Sequence, residues 1–169
     1  ICSIQGEEKT AALGLRRSAR LPVLAALHTC LKRPTLLVTD RADHALTLFD
    51  ELALWAPGAT RYLFPEPNPL FYEKAPWGRT TRRERLQVLT SLAAHHIPGA
   101  PQRAGSPIII APARALMART LPRREFLKAA RMLRRGETLV TNAVIHRWVA
   151  LGYEAENTVI TPGQFARRG

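Results

Sequence analysis

Short apolar runs alternate in this chain with longer stretches whose apolar residues recur at helical spacing, and that alternation narrows the fold more than any other feature. Thr35-Leu36-Leu37-Val38-Thr39 suits a buried parallel strand, Thr60 to Phe64 reads as a second, and Ile108-Ile109-Ile110 is the most strand-like run of all. Candidate helices lie between them. Residues 19–32 place Leu21, Leu24, Leu27, His28 and Leu31 on one face, with Pro22 in the first turn and Pro34 as the stop. Asp40 is positioned to cap the next helix, whose stripe is Ala45, Leu48, Leu52 and Trp55 and which Pro57-Gly58 ends. Thr81-Arg82-Arg83-Glu84 has the spacing of a capping box, with Leu86, Leu89 and Leu92 as the buried face behind it. Ala113 to Ala118 forms a short helix after the third strand. This order predicts an α/β fold, a parallel sheet flanked by helices on both faces.

The texture changes after Arg119. Basic residues thicken through Arg123, Arg124, Lys128, Arg131, Arg134 and Arg135 until Gly136 breaks the run. Thr141 is a candidate cap for a helix carrying Val144, Ile145, Trp148 and Val149, which Gly152 closes. Thr158 to Ile160 and Gln164 to Arg168 then read as strands joined by a Pro162-Gly163 turn. A boundary near Leu127 divides the chain into a larger α/β domain, residues 1–126, and part of a small α/β domain, residues 127–169.

A formal net charge of +12 over 169 residues predicts attraction to polyanions, either nucleic acid or an acidic protein face. No run approaches the roughly 18 apolar residues of a membrane span, and Ile1 to Thr10 lack the basic-then-apolar order of a signal peptide. A chain that starts at Ile and stops on Gly169 inside an expected strand reads as an excised fragment of a cytoplasmic protein. Cys2 and Cys30 have no metal-like spacing, and two incidental thiols are a simpler reading than a disulfide.

Catalytic chemistry finds little support. A phosphate loop needs glycines that let the backbone cradle phosphate, then a lysine and a hydroxyl. Gly14-Leu15-Arg16-Arg17-Ser18-Ala19-Arg20-Leu21-Pro22 lacks the second glycine and the Lys-hydroxyl pair. Gly6-Glu7-Glu8-Lys9-Thr10 holds two glutamates that would repel phosphate. Asp50-Glu51 falls mid-helix, on the solvent side of an amphipathic turn, not at the end of a strand where a magnesium-holding pair belongs. His95 and His96 are adjacent and so do not share a helix face, and no third ligand stands nearby. Arg79, Arg82, Arg83 and Arg85 form a basic cluster best read as solvated surface at a helix start.

Leu151-Gly152-Tyr153-Glu154 followed by Pro162-Gly163-Gln164-Phe165-Ala166-Arg167-Arg168-Gly169 resembles the GY … PG(E/Q)F(A/S)xRG signature of bacterial transcription-repair coupling factors. It resembles the excision-repair protein UvrB more loosely. Pro67, Pro69 and Tyr72 ahead of Arg85-Leu86-Gln87-Val88-Leu89 look like the family's LPY … RLxxLxxL region, and Ile109 to Leu116 like its IVxPxxAL step. The interval before Ile108 is too short for the long β-hairpin with which UvrB grips damaged DNA. The resemblance implies a degenerate helicase-type, P-loop-like domain similar to the first domain of UvrB, without a working ATP site. It also implies a small adaptor domain that docks onto UvrA, with Arg168 as the carried-over contact residue, Arg167 on the opposite strand face as a weaker candidate, and Phe165 as a candidate whose alternative reading is core packing alone. A catalytically inert module follows, with no cofactor and no metal of its own. In the family, RNA polymerase binding and an ATP- and magnesium-dependent DNA translocase lie farther along the chain. The alternative expectation from charge alone is a DNA-binding domain.

Overall fold

Three parallel strands form the centre of the larger unit, in the order β1-β3-β2. The computed structural model describes residues 14–67, 77–94, 105–131 and 133–167. β1 (Thr35–Thr39) and β2 (Arg61–Leu63) both pair with β3 (Ile108–Pro112), with Leu36 and Tyr62 each opposite Ile109. Every residue of β3 is buried, as its three consecutive isoleucines require. Chain order explains the layers. The connection from β1 to β2 passes β3 and carries α2 (Ala42–Trp55), and the return from β2 to β3 carries α3 (Arg79–Ala93). Connections of one hand running in opposite directions put their helices on opposite faces. On one face α1 (Arg17–Leu31) and α2 close over Ile108 and Ile110 with Leu21, Ala45 and Leu52. On the other, α3 and α4 (Ala113–Met117) enclose Tyr62, Phe64, Ile109 and Ala111 with Val88 and Ala115.

The larger unit holds described residues up to Thr120, and the smaller one begins at Leu121. The expected boundary residue Leu127 lies within α5 (Arg123–Ala129). The small unit continues with α6 (Thr141–Ala150), β4 (Glu154–Ala155) and β5 (Gln164–Phe165), the two strands paired in parallel.

Several local expectations are corrected. α1 begins at Arg17, so Pro22 sits inside the helix, because Arg17, Ser18 and Ala19 add a turn of helix-compatible residues upstream. Asp40 caps nothing; Arg41 occupies the cap position, and the Asp40 carboxylate bonds the His44 ring at 2.8 Å instead. Trp55 is 53% exposed, since the turn after α2 tucks Ala56 and Ala59 against the core in its place. The Thr81 capping box does not form. α3 starts earlier, after Gly78, which puts Thr81 on its buried side and leaves Leu86 half exposed. β1 is buried on one side only, with Leu36 and Val38 open. Val140, not Thr141, precedes α6. Thr158 to Ile160 form no strand, because the Gln164 side chain ties this stretch down as a loop.

Candidate docking surface

The closing motif folds as a ribbon attached to the end of α6. Gly152 adopts φ +86, a conformation open to glycine, and lets the chain reverse. Its N–H donates to the Val149 carbonyl at 2.9 Å while Tyr153 N–H reaches the Trp148 carbonyl at 2.9 Å, which completes a Schellman ending. Tyr153 then stacks on Trp148 at 6.2 Å between ring centroids, the apolar contact that accompanies this motif. Phe165 packs tilted against the same Trp148, with ring centroids 5.4 Å apart. Gly163, at φ +95, turns the chain into β5, and the Gln164 carboxamide oxygen accepts the N–H groups of Ile160 and Thr161, both at 3.0 Å.

The sequence-derived candidates thus divide. Phe165 is 9% exposed and belongs to the aromatic cluster. Arg167, two positions on, is exposed. Arg168 lies outside the described residues. Neighbouring basic side chains have local duties. Arg147 donates to the carbonyls of Lys128 and Ala129 at the end of α5, and Arg131 pairs with Glu137 at 2.8 Å. That guanidinium, with the Arg134 N–H, holds the Glu137 carboxyl below its usual range. Arg123, Arg124, Arg135 and Arg167 are exposed and make no side-chain ion pair among the described residues.

Arg85, which the sequence reading counted as solvated surface, is 2% exposed. Its guanidinium donates to the carbonyls of Pro65 at 2.8 Å, Ala115 at 3.1 Å and Ala118 at 3.4 Å. Phe64 and Trp77 lie against its carbon at 3.9 and 4.8 Å from their ring centroids. It ties the middle of α3 to the exit of β2 and the end of α4. Burial lowers its affinity for the proton, but an arginine stays charged regardless. No sequence signal separates it from Arg82, which stands seven residues before Leu89 just as Arg85 stands seven before Leu92.

Asp50 and Glu51 are exposed on α2, as the amphipathic reading requires. Among the described residues no three His, Cys, Asp or Glu side chains cluster as metal ligands. Nucleotide chemistry would call on the start of α1, where Gly14 turns at φ +55. Arginines flank Ser18 there, and the second glycine and the Lys-hydroxyl pair with which a phosphate loop holds phosphate and magnesium are not among these residues. Cys30 is an exposed free thiol, and Cys2, His95 and His96 lie outside the described residues. Among the described residues no helix is long and apolar enough to cross a membrane.

No protein-family model matches the chain. It is 28% identical over 166 residues to the transcription-repair-coupling factor of Bacillus subtilis (strain 168), a match that takes in 98% of this chain and 13% of that relative. Nearly the whole chain is therefore similar to the amino-terminal part of a transcription-repair coupling factor, the family that its closing motif resembles.

Proposed function

We propose that this chain is a non-catalytic adaptor module of transcription-coupled DNA repair, which recruits UvrA and the excision machinery to RNA polymerase stalled at damage. The observation that carries this reading is the match to a transcription-repair-coupling factor along 98% of the chain. In this view the larger unit keeps the frame of a UvrB-like, helicase-type domain but has no catalytic residues, cofactor or metal. The small unit supplies the contact. Gly152, Tyr153, Gln164 and Phe165 are consumed in building the ribbon, Arg167 beside them is exposed, and the motif resemblance assigns Arg168 to a partner's carboxylate.

Surface-immobilised UvrA tests this directly. The chain should bind saturably, and Arg168→Ala should weaken binding at least about tenfold with an unchanged melting temperature. Arg167→Ala should have the smaller effect. Absence of binding by the folded chain would overturn the adaptor role. The net charge of +12 favours one second reading, sequence-nonspecific DNA binding, which would show as duplex affinity that salt abolishes.

A further inference from the structure

The connection between β4 and β5 contains neither helix nor strand, yet hydrogen bonds tie it at several points. Glu156 N–H donates to the Phe165 carbonyl at 2.9 Å, at the end of the strand pair. Gln164 N–H reaches the Thr161 carbonyl at 3.3 Å and closes the Thr161-Pro162-Gly163-Gln164 turn. Pro162, and then Gly163 at φ +95, are the residue types such a turn requires. The Gln164 carboxamide oxygen also accepts the N–H groups of Ile160 and Thr161, both at 3.0 Å. One side chain thus satisfies two adjacent backbone donors that no strand partner serves.

The loop held in this way presents aliphatic side chains to solvent. Ile160 is 81% exposed and Val159 52%, while Phe165 of the same ribbon is 9% exposed. From Asn157 to Ala166 no residue carries a charge, and the next residue, Arg167, is exposed. The bond from Ile160 N–H to Gln164 places this aliphatic tip on the ribbon built by the closing motif.

We propose that Ile160 is the apolar anchor of the docking surface to which the adaptor reading assigns the motif arginine, with Gln164 as the residue that positions it, an inference that rests on that reading. The matching surface on UvrA is an aliphatic notch bordered by carboxylates, so that one ribbon supplies both the apolar and the cationic contact. Closing such a notch over Ile160 removes aliphatic area from water, which arginine pairing alone does not do. A loop already tied by hydrogen bonds gives up less freedom when a partner closes on it. Nucleic acid is a poor occupant, because the uncharged stretch around Ile160 offers phosphate no counter-charge. A second copy of this chain is another, because each copy carries +12.

Titration of the full chain and its variants over surface-immobilised UvrA tests the anchor. Ile160→Ser should weaken binding about tenfold or more at an unchanged melting temperature, and Ile160→Leu should stay within about threefold. Leu54→Ser, at an equally exposed aliphatic of α2, should change nothing. Gln164→Leu removes the acceptor oxygen and should speed amide exchange at Ile160 and Thr161 while weakening binding about fivefold. Gln164→Glu keeps an acceptor there and should restore both. If Gln164→Leu does not fold, the two Ile160 variants decide. Unchanged affinity in Ile160→Ser, beside a loss in Arg168→Ala, would overturn the anchor and leave the adaptor reading standing. An equal loss in Leu54→Ser would overturn it as general adhesion of exposed aliphatics. No binding by the natural chain would overturn the adaptor reading and the anchor together.

Discussion

Arg85 and His28 show how much a single buried polar side chain decides in the larger unit. Arg85 stands where an apolar residue is expected on the inner stripe of α3 and donates to three carbonyls, that of Ala115 buried and those of Pro65 and Ala118 partly so. Among the described residues its Nε has no partner, and the guanidinium is held by its two terminal nitrogens and the flanking rings. Arg85→Ala should cost about 3 kcal/mol in urea unfolding, from the cavity and the stranded carbonyls together. Arg85→Lys should recover little of it, because an ammonium cannot spread over several acceptors while lying flat on Phe64. Arg82→Ala, at an exposed neighbour, should stay within about 0.5 kcal/mol. His28, buried on α1, bonds the Thr35 hydroxyl at 2.8 Å where β1 begins. Burial holds its imidazole below the ordinary 6.5, against a smaller opposing pull from a backbone bond to Ser106. Above about pH 6.5 both folded and unfolded forms are neutral and the group adds no pH dependence. As pH falls through that value the unfolded chain takes the proton first, so stability declines until the folded pKa is reached. Urea midpoints at about pH 7.5 and 5.5 should therefore separate more in the natural chain than in His28→Gln. Glu137 and Asp40, whose carboxyls sit below their usual 4.5 and 3.8, stay ionised throughout that window.

At the scale of elements, the legible parts were those where one hydrophobic period ran unopposed. Ile108 to Ile110 could only be a central strand, and Ala45, Leu48 and Leu52 could only face it. What escaped were helix starts. Capping residues were read at Asp40, Thr81 and Thr141, and in each helix the first residue lies where backbone and packing place it, with no side-chain cap bond formed. An exposed capping bond is worth only about 1 kcal/mol, so burial of a stripe overrides it. The half-open β1 escaped for a different reason: an apolar run reads as buried on both faces whether or not a covering layer arrives. Gly152 was legible as the stop of α6, and its conformation makes the reading testable. A Cβ at this position meets nothing within 4 Å, so any cost of Gly152→Ala is the backbone's alone. We expect about 1 kcal/mol, because alanine resists the left-handed region that the Schellman ending needs. That corresponds to roughly fivefold faster amide exchange through local opening at Leu151 and Tyr153, and Gly152→Asn should lose less.

For the molecule as a whole, charge and contact make opposing claims that salt can separate. The chain carries 25 Lys and Arg against 13 Asp and Glu, and among the described residues Arg33, Arg82, Arg119, Arg123, Arg124, Arg135 and Arg167 are exposed without an ion pair. Such a surface draws any polyanion, and DNA affinity gained this way depends on the release of condensed counterions. If about four phosphates are met, binding should weaken roughly 100-fold between 50 and 200 mM salt. A docking site behaves otherwise. The Trp148, Tyr153 and Phe165 rings pack together under the ribbon, and the proposed UvrA contact would pair one arginine with one carboxylate, a bond that bulk attraction does not supply. Desolvation at such a contact also shields the pair from added ions. UvrA affinity should then fall less than about tenfold over the same salt range, and Arg168→Ala should remove it at both ends. The two titrations, run side by side on the same preparation, distinguish the readings. Parallel steep curves would make the whole surface a polyanion sponge and reduce the motif to a structural element. Divergent curves would assign the bulk charge to attraction and the terminal arginines to recognition.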